Sequence, residues 1–290
     1  MIPTRLRLGD YSTNGRILAA KSMNVLFCRY VHHTAKSSHY NKTAKYYDTF
    51  NEKNSMVINQ TIENILKKYK VKTVLDLTCG TGSQVFWLEK RGYEVVGSDI
   101  NSNMLKIVKN KAEKEKLAVK FLKGDMRTIQ VGKFDAVITI FNAIGHLTKL
   151  DFEQVMRNIN GNLKENGLYI FDINNLSYLM KNDNITKLTI DWQKIEGDTK
   201  VRDIQYSTID ENGILTSYTT SHVQKSPDKP KITRSVQTLQ IYTAKQLREM
   251  LHRNGFNVLS QCGINGSKLV ESEADSIVTV AKKSYTCQDE

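Results

Sequence analysis

The 290-residue chain is long enough for one large domain, or for one domain that carries an insertion. Its 40% hydrophobic and 25% charged residues are typical of a globular protein, and no apolar run approaches the ~20 residues of a membrane span. The net charge is +12, but residues 1–45 contribute +7 of it, so the rest of the chain has too small an excess to favour nucleic-acid binding.

Residues 1–36 are basic and rich in serine, threonine and asparagine, with almost no acidic residue. Three interpretations compete: a disordered extension upstream of a true initiator at Met23, a mitochondrial-type presequence, and an electrostatic arm for RNA. No apolar segment of a secretory signal is present. We therefore expect a cytoplasmic protein, with a mitochondrial location as the alternative if the extension is a presequence.

The four cysteines show no C-x-x-C spacing, and no histidine pair completes a zinc pattern. We expect free thiols in a reducing compartment, and no metal.

The first predicted elements are helical. Aromatic side chains cluster in residues 40–53, where a short helix could cover a pocket or cap the core. A helix is predicted over 55–70 from its apolar spacing.

A predicted strand, glycine turn and helix follow. An apolar run ends in Asp76-Leu77-Thr78-Cys79-Gly80-Thr81-Gly82, and an amphipathic segment begins after it. This pattern is typical of the opening of a nucleotide-binding α/β unit, because glycines let the backbone lie close to a ligand. Cys79 is interpreted as a packed small residue, with a nucleophile as the alternative.

A second strand, from Tyr93 to Ser98, ends in Asp99, 17 positions after Gly82. A carboxylate there can accept hydrogen bonds from both ribose hydroxyls of a nucleoside. The turn Gly80–Val85 lacks the third glycine that pyrophosphate-binding folds prefer. The pattern therefore favours S-adenosylmethionine over NAD, with a NAD-binding module or an inactive binding protein as rivals.

A helix is predicted to begin at Asn101-Ser102, which provide good N-cap chemistry, and it contains Met104. A third strand ends at Phe121-Leu122. Asp125 lies in the loop that follows, where it could accept a hydrogen bond from the adenine amine or simply form the turn after Gly124.

The apolar run 134–141 predicts a buried parallel strand, and the loop 142–147 after it should face the cofactor and substrate. His146 in this loop is a candidate to accept or relay a proton, or else a histidine hydrogen-bonded within its loop. A helix at 150–164 and a strand at 167–173 follow.

Strand-like segments separated by turns then replace the βα units. They cover 186–192, 200–209, 214–224 and 232–242, and we interpret them as an antiparallel β insertion. A helix from Thr243 to Asn254 and two strands, 256–260 and 276–281, return to the α/β core. The predicted parts are an extension (1–36), a core (37–183), the insertion (184–242), the returning core (243–283) and a tail (284–290).

Five segments together resemble class I S-adenosylmethionine-dependent methyltransferases, most closely the N,N-dimethyltransferases of nucleotide-linked amino sugars and related small-molecule N-methyltransferases. They are 76–82, Asp99, Gly124-Asp125-Met126-Arg127, 134–137 and Ile144-Gly145-His146-Leu147. The resemblance covers about residues 40–282.

The resemblance implies an α/β, Rossmann-like sheet of seven strands, mostly parallel with the last antiparallel, flanked by helices and carrying the β insertion. It implies that Thr78, Gly80 and Gly82 line the methionine part of the cofactor, that Asp99 binds ribose, and that Asp125 and Met126 flank adenine. Ile140 would lie beneath the sulfonium and Tyr47 would close over the cofactor; Ile100 and Met104 complete the predicted cofactor set. His146 and Tyr47 are the predicted catalytic residues.

Three departures concern the acceptor. A family tyrosine near the substrate amine falls at Phe50, a family arginine nearby falls at Lys53, and a tryptophan-rich segment is replaced by Asp172-Ile173-Asn174-Asn175. The predicted reaction is methyl transfer to a small molecule, with an amine nitrogen preferred over oxygen or carbon of a quinone or lipid precursor. An RNA methyltransferase ranks lower, because the loop after the fourth strand lacks the Asn/Asp-Pro-Pro-aromatic motif of amino-adenine enzymes. The β insertion could cover the active site or form a homodimer through its edge strands.

Overall fold

The computed structural model describes residues 30–41, 44 and 47–284, without the side chains of 49–54 and 196. The chain divides between Val31 and His32. The compact unit therefore begins at His32, whereas the sequence placed the start of the core at 37. Most of the predicted extension, with its three interpretations, and residues 285–290 of the predicted tail lie outside the described residues.

A seven-stranded sheet organises this unit. Its strands are β1 (Thr73–Asp76), β2 (Glu94–Asp99), β3 (Lys120–Lys123), β4 (Phe134–Thr139), β5 (Leu163–Asn174), β10 (Phe256–Cys262) and β11 (Ser276–Lys283). They lie in the order β10-β11-β5-β4-β1-β2-β3. Strand β11 pairs antiparallel with both of its neighbours, while β1–β5 pair in parallel, so the predicted fold class is confirmed.

The strand order reverses between β1 and β4, which lie side by side although two strands separate them in sequence. Open α/β sheets bind ligands at such a point, beyond the carboxyl ends of the strands. The functional site is therefore expected at the ends of β1, β2 and β4.

Side-chain caps define where several helices begin. Asn101 accepts hydrogen bonds from the backbone N–H groups of Asn103 and Met104, and Thr243 forms a capping box with Gln246. Both predicted starts are confirmed. The helices are α1 (Tyr47–Lys68), α2 (Ser83–Glu89), α3 (Ser102–Glu115), α4 (Lys149–Asn162), α5 (Leu176–Leu179) and α6 (Ala244–Arg253).

The insertion is a four-stranded antiparallel sheet, in the order β6-β7-β8-β9. Its strands are β6 (Ile190–Glu196), β7 (Thr199–Ile209), β8 (Ile214–Lys225) and β9 (Lys231–Gln240). The first strand begins later than predicted, because Asp183 takes a left-handed conformation and starts a 3-10 turn over Asn184–Leu188.

Two apolar layers cover the seven-stranded sheet. One contains Phe152 and Leu247 of α4 and α6; the other contains Ile62 and Val108 of α1 and α3. Successive residues of β4 alternate between them, with Val137 in the first layer and its neighbours in the second, as strand geometry requires. Over the described residues, no helix is long and apolar enough to cross a membrane.

Candidate active site

Two glycines shape the turn after β1, with different consequences. Gly80 has φ +50° and lines a cleft at the carboxyl ends of β1, β2 and β4. Gly82 has φ +96°, and a Cβ there would lie 2.6 Å from side-chain atoms of both Phe86 and Val108. Among the described residues Gly80 lines the cleft and Gly82 does not. Gly82 permits close packing at the start of α2, and its contact with the cofactor stays a prediction.

Cys79, between these glycines, is 2% exposed. Burial raises the pKa of its thiol well above the usual value, so the thiol stays protonated. This environment fits a packed side chain and not a nucleophile.

Asp99 ends β2 and lines the cleft. Its Oδ2 accepts the backbone N–H of Gly80 at 2.9 Å, and its Oδ1 accepts that of Asn101 at 2.7 Å. Burial raises its pKa, while these N–H groups oppose the shift. The two bonds fix the carboxylate between the glycine turn and the start of α3, where it can accept hydroxyl donors from a ligand.

Asp76, at the end of β1, is a fully buried carboxylate that the sequence analysis did not place in the site. Its Oδ1 accepts the backbone N–H of Thr78 at 3.0 Å, which fixes the turn that lines the cleft. Its Oδ2 is buried and has no hydrogen-bond partner among the described residues. Burial raises the pKa of Asp76 to about 7.

The opposite wall of the cleft comes from the loop after β3. Arg127 forms a fork with Asp125, with Nη2–Oδ2 at 2.7 Å and Nε–Oδ1 at 3.1 Å, and its Nη1 reaches Asp151 at 3.2 Å. Burial opposes ionisation of Asp125, but the bonds from Arg127 outweigh it and lower the pKa. Asp125 is thus an ionised, pre-oriented acceptor in the cleft wall, as its predicted role requires. Further predicted residues that line the cleft are Tyr47, Thr78, Ile100, Met104, Met126 and Ile140.

Residues 32–41, here called the strap, form part of the cleft wall, although the sequence assigned residues up to 36 to the extension. The backbone N–H of Ala35 donates to His146 O at 2.9 Å. The ring of His32 lies 2.9 Å from Leu147 O and 2.9 Å from Thr238 Oγ1. Thr34 donates to the carboxylate of Asp151. These contacts hold the first half of the strap over the loop after β4.

Aromatic and imidazole rings converge at one end of the cleft, here called the acceptor end. Tyr40 Oη lies 2.7 Å from His146 Nε2, and the Tyr40 ring packs edge-on against Tyr47 at 5.6 Å. The ring of His39, an exposed residue, lies 5.0 Å from that of His146. The structure thus brings together both predicted catalytic residues, His146 and Tyr47, and adds Tyr40 and His39 to them.

The acceptor end is uncharged at neutral pH. Burial, together with the neighbouring His39 and His32, lowers the pKa of His146 to about 3. Burial and the nearby Asp99 raise the pKa of Tyr40 to about 12, and burial also raises that of Tyr47. The predicted hydrogen bond of His146 within its own loop is wrong in its partner, which is Tyr40 of the strap. So low a pKa also makes His146 a weak proton acceptor.

A buried carboxylate shapes the loop that carries His146. Phe141 and Asn142 both have left-handed backbones, with φ +65° and +56°. Asp172 Oδ1 accepts the N–H of Phe141 at 2.6 Å, and Asn142 also donates to this carboxylate. Two successive left-handed residues other than glycine are unfavourable, so they need such partners. Asp172 therefore supports the wall that Phe141 contributes to the cleft.

Sequence reasoning missed His39, Tyr40 and Asp172 as parts of the site. The cluster of aromatic residues around 40–50 was a signal for Tyr40, because it predicted a cover over a pocket. For His39 and Asp172 the sequence contains no comparable signal, since their importance follows from long-range contacts. In the described part of the chain, no group of three or more His, Cys, Asp or Glu residues could hold a metal ion.

Residues 74–167 match the family described as a methyltransferase domain. A putative methyltransferase of Geobacillus sp. is 32% identical over 39% of this chain and 47% of its own length. The glycine/sarcosine N-methyltransferase of Parasynechococcus marenigrum is 31% identical over 40% of this chain and 43% of its own. The chain thus spans about half the length of these curated relatives.

Solved structures share the fold over most of their length. An S-adenosylmethionine-dependent methyltransferase from Clostridium acetobutylicum has a TM-score of 0.70 at 20% identity, covering 85% of this chain and 99% of its own. CalS10, a S-adenosylmethionine-bound amino pentose methyltransferase from Micromonospora echinaspora, has a TM-score of 0.63 at 17% identity, covering 88% and 100%.

Residues 74–167 therefore match a methyltransferase domain, and the chain has the fold of S-adenosylmethionine-dependent methyltransferases, as the resemblance stated from the sequence implied. The cofactor that this likeness implies is S-adenosylmethionine. The cleft fits this group in two respects: the buried, unpartnered Oδ2 of Asp76 lies beside the turn where a ligand ammonium could compensate it, and Asp99 presents a fixed carboxylate for ribose hydroxyls.

Proposed function

We propose that this protein transfers a methyl group from S-adenosylmethionine to an amine nitrogen of a small molecule. The observation that carries the proposal is the chemistry of the acceptor end, where Tyr40, Tyr47 and His146 are all neutral and poor bases at neutral pH. A hydroxyl acceptor must lose its proton to a base as it reacts. An amine attacks with its own lone pair once it is neutral, so this environment favours an amine.

Named residues would hold the cofactor. Asp99 would bind the ribose, Asp125 and Met126 would flank adenine, and the Thr78–Gly80 turn would hold the methionine part with Asp76 behind it. When bound, S-adenosylmethionine supplies an electrophilic methyl group on a positively charged sulfur. The protein mainly aligns the acceptor with that group, and alignment alone is worth up to ~7–11 kcal/mol in favourable cases.

His39 offers a route for the proton of an incoming ammonium. His39 is an exposed residue that lines the cleft, and partial burial of its ring lowers its pKa below 6.5. The imidazole is therefore neutral at physiological pH and can pass a proton from the acceptor to solvent. Asp99 contributes to the raised pKa of both Tyr40 and Tyr47, so a negative charge on its carboxylate would act at the acceptor end and favour a cationic amine.

Two relatives support an amine acceptor. The Parasynechococcus protein is named for methylation of glycine or sarcosine nitrogen, and CalS10 for methylation of an amino pentose. Both acceptors are small amines, but they differ in size and shape, so they indicate the type of atom and not the substrate.

The test pairs each amine with its hydroxyl analogue: glycine with glycolate, and an amino sugar with its parent sugar, with an RNA transcript as a separate acceptor. Release of S-adenosylhomocysteine and the mass of the product are measured, with Asp99→Ala as the control for cofactor-dependent turnover. We expect methylation of amines only. Methylation of a hydroxyl analogue or of RNA, without methylation of any amine, would overturn the proposal.

A further inference from the structure

The strap is anchored in its second half by a single buried side chain. Asn101 is 2% exposed, and its Nδ2 donates to Ser37 O at 2.8 Å and to Asn41 Oδ1 at 3.0 Å. Asn103 adds a longer bond to Asn41 O, at 3.4 Å. The start of α3 thus holds the strap at 37–41, opposite the contacts of Thr34 and Ala35.

The same residue also belongs to the cofactor side of the cleft. Its backbone N–H donates to Asp99 Oδ1 at 2.7 Å, and its Oδ1 accepts the N–H groups of Asn103 and Met104. Asn101 therefore has every donor engaged, and one carboxamide joins the ribose carboxylate, the helix N-terminus and the strap.

The strap segment between its two anchors carries the ring that reaches the acceptor end. Tyr40 follows Ser37 by three residues and precedes Asn41, and its hydroxyl meets His146 at 2.7 Å. A shift of the strap at 37–41 would move this hydroxyl away from His146. The position of Tyr40 thus depends on Asn101.

We infer that Asn101 is a positioning residue, which links occupancy of the Asp99 site to the placement of the strap and of Tyr40. The inference rests on the proposed function for the identity of the ligand. It goes beyond helix capping, since a serine at this position would cap α3 about as well but could not reach both strap acceptors.

The chain provides a matched control. Asn175 is 0% exposed and caps α5 by accepting the N–H of Ser177, while its Nδ2 donates to Glu271 O and Ala274 O at 2.9 and 2.8 Å. It does not line the cleft in the described structure. Asn175→Ser removes the same groups as Asn101→Ser, so it reports the general cost of this change.

The first experiment measures S-adenosylhomocysteine dissociation from the full chain by stopped flow, for the wild type, Asn101→Ser and Asn175→Ser. Loss of the two donated bonds should speed dissociation roughly tenfold in Asn101→Ser. A change of this size corresponds to the net free energy of one or two hydrogen bonds. Asn175→Ser should match the wild type. The inference would be overturned if S-adenosylhomocysteine left Asn101→Ser at the wild-type rate, or if both variants released it equally faster than the wild type.

A second variant acts from the strap. Asn41→Ala removes the Asn41 Oδ1 acceptor but leaves the α3 cap and Asp99 contacts in place. It should also speed dissociation, by less than Asn101→Ser. An unchanged rate in this variant, with a changed rate in Asn101→Ser, would assign the effect to the helix and contradict the link to the strap.

Hydrogen exchange of the ligand-free proteins separates this inference from the proposed function. Peptides that cover 32–41 should exchange faster in Asn101→Ser than in the wild type or Asn175→Ser, whether or not the ligand binds. If the wild type does not bind S-adenosylhomocysteine, the proposed function fails. If strap exchange is also unchanged in Asn101→Ser, the positioning role fails as well.

Discussion

Tyr40 and His146 form the contact by which the strap meets the acceptor end, at 2.7 Å. Tyr40→Phe keeps the ring that packs on Tyr47 and removes only the hydroxyl. We predict that kcat falls about tenfold, as expected for a lost hydrogen bond that orients the site, while S-adenosylhomocysteine affinity changes less than about twofold. Steady-state kinetics and calorimetry measure the two quantities. An unchanged kcat would show that the hydroxyl does not contribute.

Asp172 makes stability depend on pH. Burial raises its folded pKa to about 7, from an unfolded value near 3.9. The folded state therefore binds more protons between these values, and this carboxyl stabilises the protein at low pH and loses that effect as the pH rises from about 4 to about 7. Asp172→Asn should reduce this decline by an amount of order 1 kcal/mol, which urea unfolding at pH 5 and pH 8 measures. Asp76 has the same sign, so part of the decline remains.

If the free energy of unfolding fell equally from pH 5 to pH 8 in the wild type and in Asp172→Asn, Asp172 would not be a source of the pH dependence. Lys164 pairs with Asp135 on the surface. Lys164→Gln is therefore the control, and we expect its free energy of unfolding to change between the two pH values as in the wild type.

The sequence was most informative where one residue type meets one backbone requirement. Gly80 and Asp99 were predictable because a glycine turn after a strand and an acid after the next strand form a local pattern. Gly82 matched the same pattern, but its side of the turn packs on Phe86 and Val108, which only tertiary structure reveals. His39 could not be predicted, because its neighbours come from a segment more than 100 residues away.

At the scale of elements, truncation of the chain tests the role of the strap. Its anchors His32, Thr34 and Ala35 lie before residue 37, the predicted start of the core. A protein that begins at Met23 keeps them, whereas one that begins at residue 37 loses them. We predict that the protein from Met23 binds S-adenosylhomocysteine with wild-type affinity and that the protein from residue 37 binds it at least tenfold more weakly. A tenfold loss corresponds to the net free energy of one or two hydrogen bonds.

Calorimetric titration of both truncated proteins gives the answer, with circular dichroism to check that each is folded. Equal affinities would show that residues 32–36 do not contribute to the site. Weakened binding in both would place a further contribution before Met23.

Most elements were predictable from periodicity, and the exceptions have identifiable causes. The apolar run of β4 and the alternating strands of the insertion were recognised because each follows a simple pattern. The predicted strand at 186 was wrong in its first residues, because the left-handed Asp183 starts a 3-10 turn there. The helix predicted from 55 begins at Tyr47. The prediction missed this start because the first turns contain polar and aromatic residues without a clear apolar stripe.

At the scale of the whole molecule, the insertion is where we predict self-association. Tyr206, Ile232 and Val236 are exposed by 54%, 51% and 39%, and the strand register places them on one face of the four-stranded sheet. Exposed apolar patches of this kind mark interaction sites. We predict a dimer in light scattering, and a monomer for the double variant Ile232→Ser and Val236→Ser. Leu150→Ser, exposed by 79% on α4, is the control that should stay dimeric.

A monomeric wild type would contradict this prediction. A double variant that remains dimeric would place the interface elsewhere.

The most direct test of the central claim is calorimetric titration of the protein from Met23 onward with S-adenosylhomocysteine, alongside Asp99→Ala. Each hydrogen bond to a charged carboxylate contributes ~1.5–3 kcal/mol, so we predict micromolar binding that is at least ~100-fold weaker in the variant. That result would establish the cofactor and the carboxylate that holds its ribose. Absence of binding to the parent protein, or equal binding to the variant, would contradict the assignment of this cleft.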